Sequence, residues 1–196
     1  MAVTTIGVTS LAFAQASGSA KTSKVNLDDL RKIAKAGQLY HQDFEAWPRS
    51  AAQLVDLGRL PKALLRSPAD TTKEGIAREV VLEHKDDIDR PLPPNKYFDS
   101  YAGYDHWPIF NAGIKLLNKS ATNGGWLVDL TSSTRLGSRP WLKAIGPYRR
   151  FTFDGGVIER HHIPTDFNPR YGEGHSPLLL FTDQNDAVKK FHRSPR

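Results

Sequence analysis

The sequence predicts an α+β fold in which an N-terminal amphipathic helix packs on a small antiparallel sheet. Apolar residues recur at helical spacing from Asn26 to Phe44, whereas residues 148–163 alternate between apolar and polar side chains around an Asp-Gly turn. Short apolar runs lie between these segments, without regular alternation of strands and helices. This order favours a helix that covers one face of a sheet and argues against a Rossmann-like parallel sheet.

The first helix is predicted to begin at Asn26, because asparagine is a good N-cap and aspartates follow where they complement the helix dipole. Leucine, isoleucine and alanine recur along its inner face, and aromatic residues extend that face toward its end. Pro48 should stop the helix, since the residue before a proline leaves the helical region. Ser50 and Gln53 then form a capping box for a second, short helix that ends near Gly58.

After Asp70 the pattern changes from helix to strand. Short runs rich in β-branched or aromatic residues predict strands at residues 76–82, 97–104 and 126–128, and an edge strand at residues 178–181. Asp154-Gly155, which lies between apolar alternations, predicts a hairpin because its turn requires positive φ. Asp183 is expected to cap a last helix.

The 196-residue chain carries a net charge of +6 and 39% hydrophobic residues, which is typical of a globular domain with a basic surface. Such a surface suits an anionic partner, but the lysines and arginines are scattered and no basic run is interleaved with aromatics. Nucleic acid is therefore not a favoured partner. The chain has no cysteine, which excludes disulfides, cysteine zinc sites and thiol catalysis.

Residues 1–20 have the pattern of a secretory signal peptide. Ala2 to Ala14 is apolar or small, and Ala12-Phe13-Ala14 provides an A-x-A cleavage pattern, although a basic start is missing. A disordered N-terminal tail is the alternative. The apolar run is too short to span a bilayer as a helix, so we expect a periplasmic or secreted protein without a membrane span in the mature chain. Residues 21–165 would form the α+β domain, and residues 166–196 a C-terminal extension.

These segments resemble the soluble heads of type IV pilin-like proteins, in particular the pseudopilin G type and the pilin-related proteins of planctomycetes. In that group a helix with Asn-Leu near its start leads to a break with Tyr and Pro, a short helix, a Pro-Asp segment and a late hairpin with Phe and Asp-Gly. The matching parts of this chain, within residues 26–163, are Asn26-Leu27, Tyr40, Trp47-Pro48, Leu54 to Pro61, Ser67 to Asp70 and Phe153-Asp154-Gly155.

The chain also departs from that family. It lacks the prepilin cleavage site, the glutamate that follows it and the long apolar segment that builds the filament core. Ala144 stands where the planctomycete group often has histidine, and Ser67 stands where cysteine is common. The resemblance therefore implies an exported pilin-like head without the N-terminal filament helix, linked to type II secretion or a cell-surface assembly, rather than a polymerised subunit.

Asp86, Asp87 and Asp89 are candidate calcium ligands, because carboxylate oxygens in a loop suit this cation. The resemblance to pseudopilin G heads, which bind calcium, implies the same ion. The spacing is not that of an EF-hand, however, and Arg90 would compete for the carboxylates. A solvated acidic loop is the alternative interpretation.

His161 and His162 are the other candidate metal ligands, since imidazole nitrogens bind zinc and related ions. Adjacent residues of a strand point to opposite faces, so the pair does not readily share one metal. Further ligands would have to come from an acid or from the other histidines, such as His84, His106 or His175. Histidines scattered in this way are more often surface residues.

No Gly-x-Ser-x-Gly, Walker A or dinucleotide-binding pattern is present, so the motifs do not indicate an enzyme. We expect an exported, non-enzymatic pilin- or pseudopilin-like protein that meets a protein or cell-surface partner and needs no cofactor. The alternative is an extracytoplasmic glycan-binding module or a metal-dependent enzyme. Its aromatic platform would come from Trp47, Trp107, Trp126 and Trp141, which the first hypothesis assigns to core packing.

Overall fold

The computed structural model describes residues 26–83, 85–86, 91–107, 124–134, 146–160 and 178–182. Its α-helices are α1 (Leu27–Phe44), α2 (Ala51–Asp56), α3 (Ile76–Glu83) and the short turn α4 (Leu178–Phe181). Its strands are β1 (Tyr101–Gly103), β2 (Gly125–Asp129), β3 (Tyr148–Thr152) and β4 (Val157–Arg160). Short 3₁₀ helices lie at Lys62–Leu65 and Tyr104–His106.

The four strands form one antiparallel sheet in the order β1-β2-β3-β4, so strands consecutive in the chain are neighbours in space. The buried stripe of α1, which includes Ile33, Ala34 and Gly37, packs on this sheet. At Gly37 the helix comes so close to Trp126 that an added Cβ atom would lie 2.3 Å from the indole ring. The predicted α+β class, with a helix packed on an antiparallel sheet, is confirmed.

The opposite face of the sheet packs against α4. Arg150 is fully buried, and its Nε donates a hydrogen bond to the carbonyl of Leu180 at 2.7 Å. The rings of Tyr104 and Phe181 meet with their centroids 5.0 Å apart. Successive side chains of a strand point to opposite faces, and Phe151 contacts the ring of a tryptophan on the α1 side. The core therefore has two layers, one on each face of the sheet.

The starts of α1 and α2 follow the predicted capping signals. The side chain of Asn26 accepts the N–H of Asp28 at 3.1 Å and caps the start of α1. The last residue of α1 is Phe44, and Glu45, with a left-handed φ of 51°, caps the helix three residues before Pro48, where the sequence predicted its end. At α2, the Ser50 hydroxyl accepts the N–H of Gln53 at 3.3 Å. Capping by neighbouring residues is a local interaction, so the starts of both helices were readable from the sequence.

The strand predicted at residues 76–82 is wrong, because this run is helix α3. Ile76, Ala77 and the two valines are buried, and their positions recur at helical spacing along one face. Asp70 accepts the N–H of Ile76 at 3.1 Å and stabilises the first turn. The valine pair favours a strand by propensity, but burial of a complete helical face outweighs that preference.

The edge strand predicted at residues 178–181 is also wrong, because this run is the helical turn α4 on a face of the sheet. The strand predicted at residues 97–104 is confirmed only as β1. The predicted signal peptide at residues 1–20 and the helix capped by Asp183 lie outside the described residues. Among the helices that are described, none is both long and apolar enough to cross a membrane.

Candidate functional site

Of the five candidate metal ligands, Asp86 is the one that the structure describes, and it is exposed just after α3. Asp87, Asp89, His161 and His162 lie outside the described residues. Within the described ranges, no group of three or more histidine, cysteine, aspartate or glutamate side chains is arranged to hold a metal ion. The predicted metal site therefore stays a prediction, because four of its five ligands lie outside the described residues.

The described tryptophans lie in the core. Trp107 and Trp126 are fully buried and Trp47 is 8% exposed, while Trp141 is outside the described residues. Trp47 stacks on the ring of His41 with centroids 4.6 Å apart. Core packing is thus confirmed for these three side chains, and they do not present a sugar-stacking platform at the surface.

Within the part of the chain that the structure describes, the outer side of β4 is an open sheet edge. The N–H of Thr152 donates to the carbonyl of Gly156 at 3.0 Å, so these two residues form a hydrogen-bonded pair. Hydrogen-bonded and non-hydrogen-bonded pairs alternate in an antiparallel ladder, so Ile158 also faces β3. The N–H and C=O groups of Val157 and Glu159 therefore point away from the sheet. In the described part of the chain, no strand pairs with this side of β4.

A groove of about 400 Å³ lies beside this edge, between the first turns of α1 and the β3–β4 hairpin. Leu27 and Arg31 line it from the helix, and Arg149, Val157 and Glu159 line it from the sheet. The side chain of Arg31 is 74% exposed, and Leu27 is 55% exposed although it is apolar. The groove therefore offers an apolar contact, the cationic group of Arg31 and the carboxylate of Glu159 next to outward-facing backbone.

A row of directly paired residues, with charges of alternating sign, crosses the sheet and ends at this edge. Asp129 of β2 lies opposite Arg149 of β3, which lies opposite Glu159 of β4. Arg149 donates to Asp129 at 3.2 Å, to Ser132 at 2.7 Å and to Glu159 at 3.0 Å. Burial raises the pKa of Asp129, while hydrogen bonds from Thr131 and the charge of Arg149 partly oppose that rise. Arg149 is therefore held in one position at the wall of the groove.

A second, smaller cavity of about 40 Å³ lies between α3 and the segment that leads into β1. Asp99 and His106 line it, and burial raises the pKa of Asp99 to about 7. His106 accepts the N–H of Gly103 on Nδ1 at 2.9 Å, so the proton of its neutral ring sits on Nε2. A cavity of this size holds roughly one water molecule. The exposed residues Pro94, Asn95 and Lys96 also line it, so it is a small pocket at the surface that has no room for a larger substrate.

The sequence did not single out Arg149, Glu159 or Arg31, because nothing local marks them. The hairpin that contains Asp154-Gly155 was predicted, and it is the signal that leads to β4. The opposition of Arg149 and Glu159 depends on the register of that hairpin, and the groove depends on where α1 crosses it. Both are tertiary properties.

No protein-family model, no curated protein and no solved structure matches the chain. The pilin-like resemblance thus rests on the short motifs quoted above. The groove, the open edge of β4 and the charged row are the features of the described surface that bear on function.

Proposed function

We propose that this chain is an exported, non-enzymatic binding protein of the pilin-head type, which attaches to a protein or cell-surface partner and is linked to type II secretion or a surface assembly. The observation that carries the proposal is the open outer edge of β4 beside a groove. Monomeric domains usually protect such edges, so an open one next to exposed apolar surface is typical of a binding site. The proposed export rests on the signal-peptide pattern, and the proposed pilin-head type rests on the short motifs.

Cell fractionation tests the export. The protein, tagged at its C-terminus, should be found outside the cytoplasm, with its N-terminus shortened near Ala14. A purely cytoplasmic, full-length protein would contradict the proposal. The same cells can carry a photo-crosslinking residue at Glu159, with Lys35 on the exposed side of α1 as the matched control position. Crosslinks to an envelope component from position 159 alone would support a partner at the β4 edge.

The alternative of a glycan-binding module or metal-dependent enzyme is tested separately. Binding to a glycan array, or a stoichiometric metal in elemental analysis of the purified protein, would favour it. Because the described tryptophans are buried, we expect no glycan signal that depends on Trp47. A Trp47→Ala variant that lost glycan binding while remaining folded would overturn this expectation.

A further inference from the structure

We propose that an extended, acidic segment of a partner protein binds along β4 as an additional strand, a mode that rests on the binding function proposed above. Val157 and Glu159 direct backbone donors and acceptors outward, and an extended peptide satisfies such groups with its own backbone. On β4, residues that face outward alternate with residues that face β3, so this pattern fixes the register in which an incoming strand can pair. The backbone thereby supplies affinity for any extended chain, and the groove supplies selectivity.

The groove receives the alternate side chains of the added strand. Side chains on one face of a strand recur about every 7 Å, and those on the α1 side would enter the groove of about 400 Å³. Leu27 and Val157 provide apolar contact there. The side chain of Arg31 is 74% exposed and pairs with the equally exposed Asp28 at 2.9 Å. Such surface pairs contribute little stability, so Arg31 can exchange Asp28 for a carboxylate of the partner.

The other edge of the sheet does not offer the same site. All three residues of β1 are buried, and α3 packs against this strand. At Gly103 an added Cβ atom would lie 2.4 Å from the carbonyl oxygen of Arg49, so backbone also packs on one face of this strand. Within the described residues, β1 is therefore covered by α3 and by the backbone at Arg49, whereas no strand pairs with the outer side of β4.

Charge favours a different, acidic protein over a second copy of this chain. Each copy carries a net charge of +6, so two copies repel at long range, whereas an acidic segment is attracted. The binding partner at β4 is therefore an acidic, extended segment.

The experiment uses the full chain and a fluorescent, end-blocked peptide of alternating valine and glutamate, with binding followed by anisotropy. We expect Val157→Pro to weaken binding relative to the unchanged protein, and Glu159→Pro to weaken it relative to Glu159→Gln, each about two- to tenfold, because each proline removes one outward N–H worth about 0.5–1.5 kcal/mol. Glu159→Gln is the reference because the Glu159 carboxylate itself repels an acidic peptide. Proline is tolerated on an edge strand where its N–H faces outward. Ile158→Thr, whose N–H faces β3, is the matched control and should bind like the unchanged protein.

Charge is tested with a second pair of variants. Arg31→Glu should weaken binding of the acidic peptide about three- to tenfold, whereas Lys35→Glu makes the same change in net charge on exposed α1 surface outside the groove and should have a smaller effect. A peptide with lysine in place of glutamate should bind more weakly than the acidic one. Equal effects of the two variants would show non-specific charge attraction and overturn the role of the groove.

The proposal stays falsifiable if the proline variants fail to fold. A peptide N-methylated at every residue lacks the backbone donors on both of its edges and should bind the unchanged protein more than tenfold more weakly. Equal affinity, no binding of either peptide, or a dimer in sedimentation velocity that Val157→Pro abolishes would overturn the proposal. These outcomes are independent of cell fractionation. An exported protein that ignores the peptide refutes this inference alone, and a cytoplasmic protein that binds it refutes the export alone.

Discussion

Asp99 shows at the scale of one residue how burial changes chemistry. It lies where α2, α3 and β1 meet, and its Oδ1 accepts the N–H of Tyr101 at 2.9 Å. Its backbone carbonyl accepts the N–H of Ala77 at 3.1 Å. Oδ2 is buried without a hydrogen-bond partner in the described structure. Desolvation therefore outweighs the hydrogen bonds to the carboxylate and raises the pKa to about 7.

This pKa predicts a pH dependence of folding. The native pKa of Asp99, about 7, exceeds the ordinary value of 3.8, so the folded state binds the proton more tightly than the unfolded state. The resulting stabilisation is complete below pH 3.8 and is lost as the pH rises through about 7. Asp99→Asn should reduce the slope of the free energy of unfolding against pH by up to about 1.4 kcal/mol per pH unit. Urea unfolding at several pH values between these limits measures the slope.

Asp86→Asn is the control, because this aspartate is exposed and its replacement should leave the slope unchanged. Part of the slope should survive in Asp99→Asn, since burial also raises the pKa of Asp129. An identical pH profile for the Asp99 variant and the unchanged protein would contradict the assignment.

The β3–β4 hairpin shows at the scale of an element why turn geometry matters. The N–H of Gly155 donates to the carbonyl of Thr152 at 3.1 Å, and Gly155 has a φ of 83°, so the loop has three residues and ends in the left-handed region. A two-residue Asp-Gly loop would shift the register by one residue and place Arg149 opposite Arg160. The observed register places it opposite Glu159 and forms the charged row.

The packing of α1 on the sheet makes a prediction at the same scale. Alanine is a better helix former than glycine by about 1 kcal/mol, so Gly37→Ala should stabilise an isolated helix. In the folded protein the new Cβ would lie 2.3 Å from the ring of Trp126, which is a buried, rigid group. We expect overpacking to win and the variant to lose about 1–3 kcal/mol in urea unfolding.

Lys35→Ala on the exposed side of the same helix serves as the control for helix propensity. It should change stability by less than about 0.5 kcal/mol. If Gly37→Ala proved more stable than the unchanged protein, the close approach of α1 to the sheet would be refuted.

At the scale of the whole molecule, Arg150 connects the sheet to a segment distant in sequence. It is fully buried, donates to the Leu180 carbonyl at 2.7 Å and to the Tyr148 hydroxyl at 3.1 Å. Hydrogen bonds from a charged group are worth about 1.5–3 kcal/mol, more than those between neutral groups. Arg150 thus holds α4 on the face opposite α1 and closes the second layer of the core.

Arg150→Met should free this segment, because methionine fills similar space but leaves the Leu180 carbonyl without its donor. We expect a loss of about 2 kcal/mol in stability and faster amide exchange in residues 178–182 than in β2. Arg149→Met, one residue away on the other face of β3, is the matched comparison and should leave exchange in that segment unchanged. Equal protection of residues 178–182 in both variants would contradict the connection.

Local signals in the sequence determined the α+β class, the starts of α1 and α2, and the existence of the β3–β4 hairpin. They act between residues close in the chain, as the Asn26 and Ser50 caps and the left-handed Gly155 show. At residues 76–82 the β-propensity of the two valines favours a strand, but burial of one helical face makes this run the helix α3.

Only the tertiary structure decided what surrounds each of these elements. The sequence could not show that residues 178–181 form a turn on the sheet, that Asp99 is desolvated, or that the outer side of β4 faces a groove beside Arg31. Each depends on contacts between residues far apart in the chain, and such contacts leave no local pattern. The binding edge proposed here is a property of that long-range packing, because register and helix placement together leave Val157 and Glu159 facing outward.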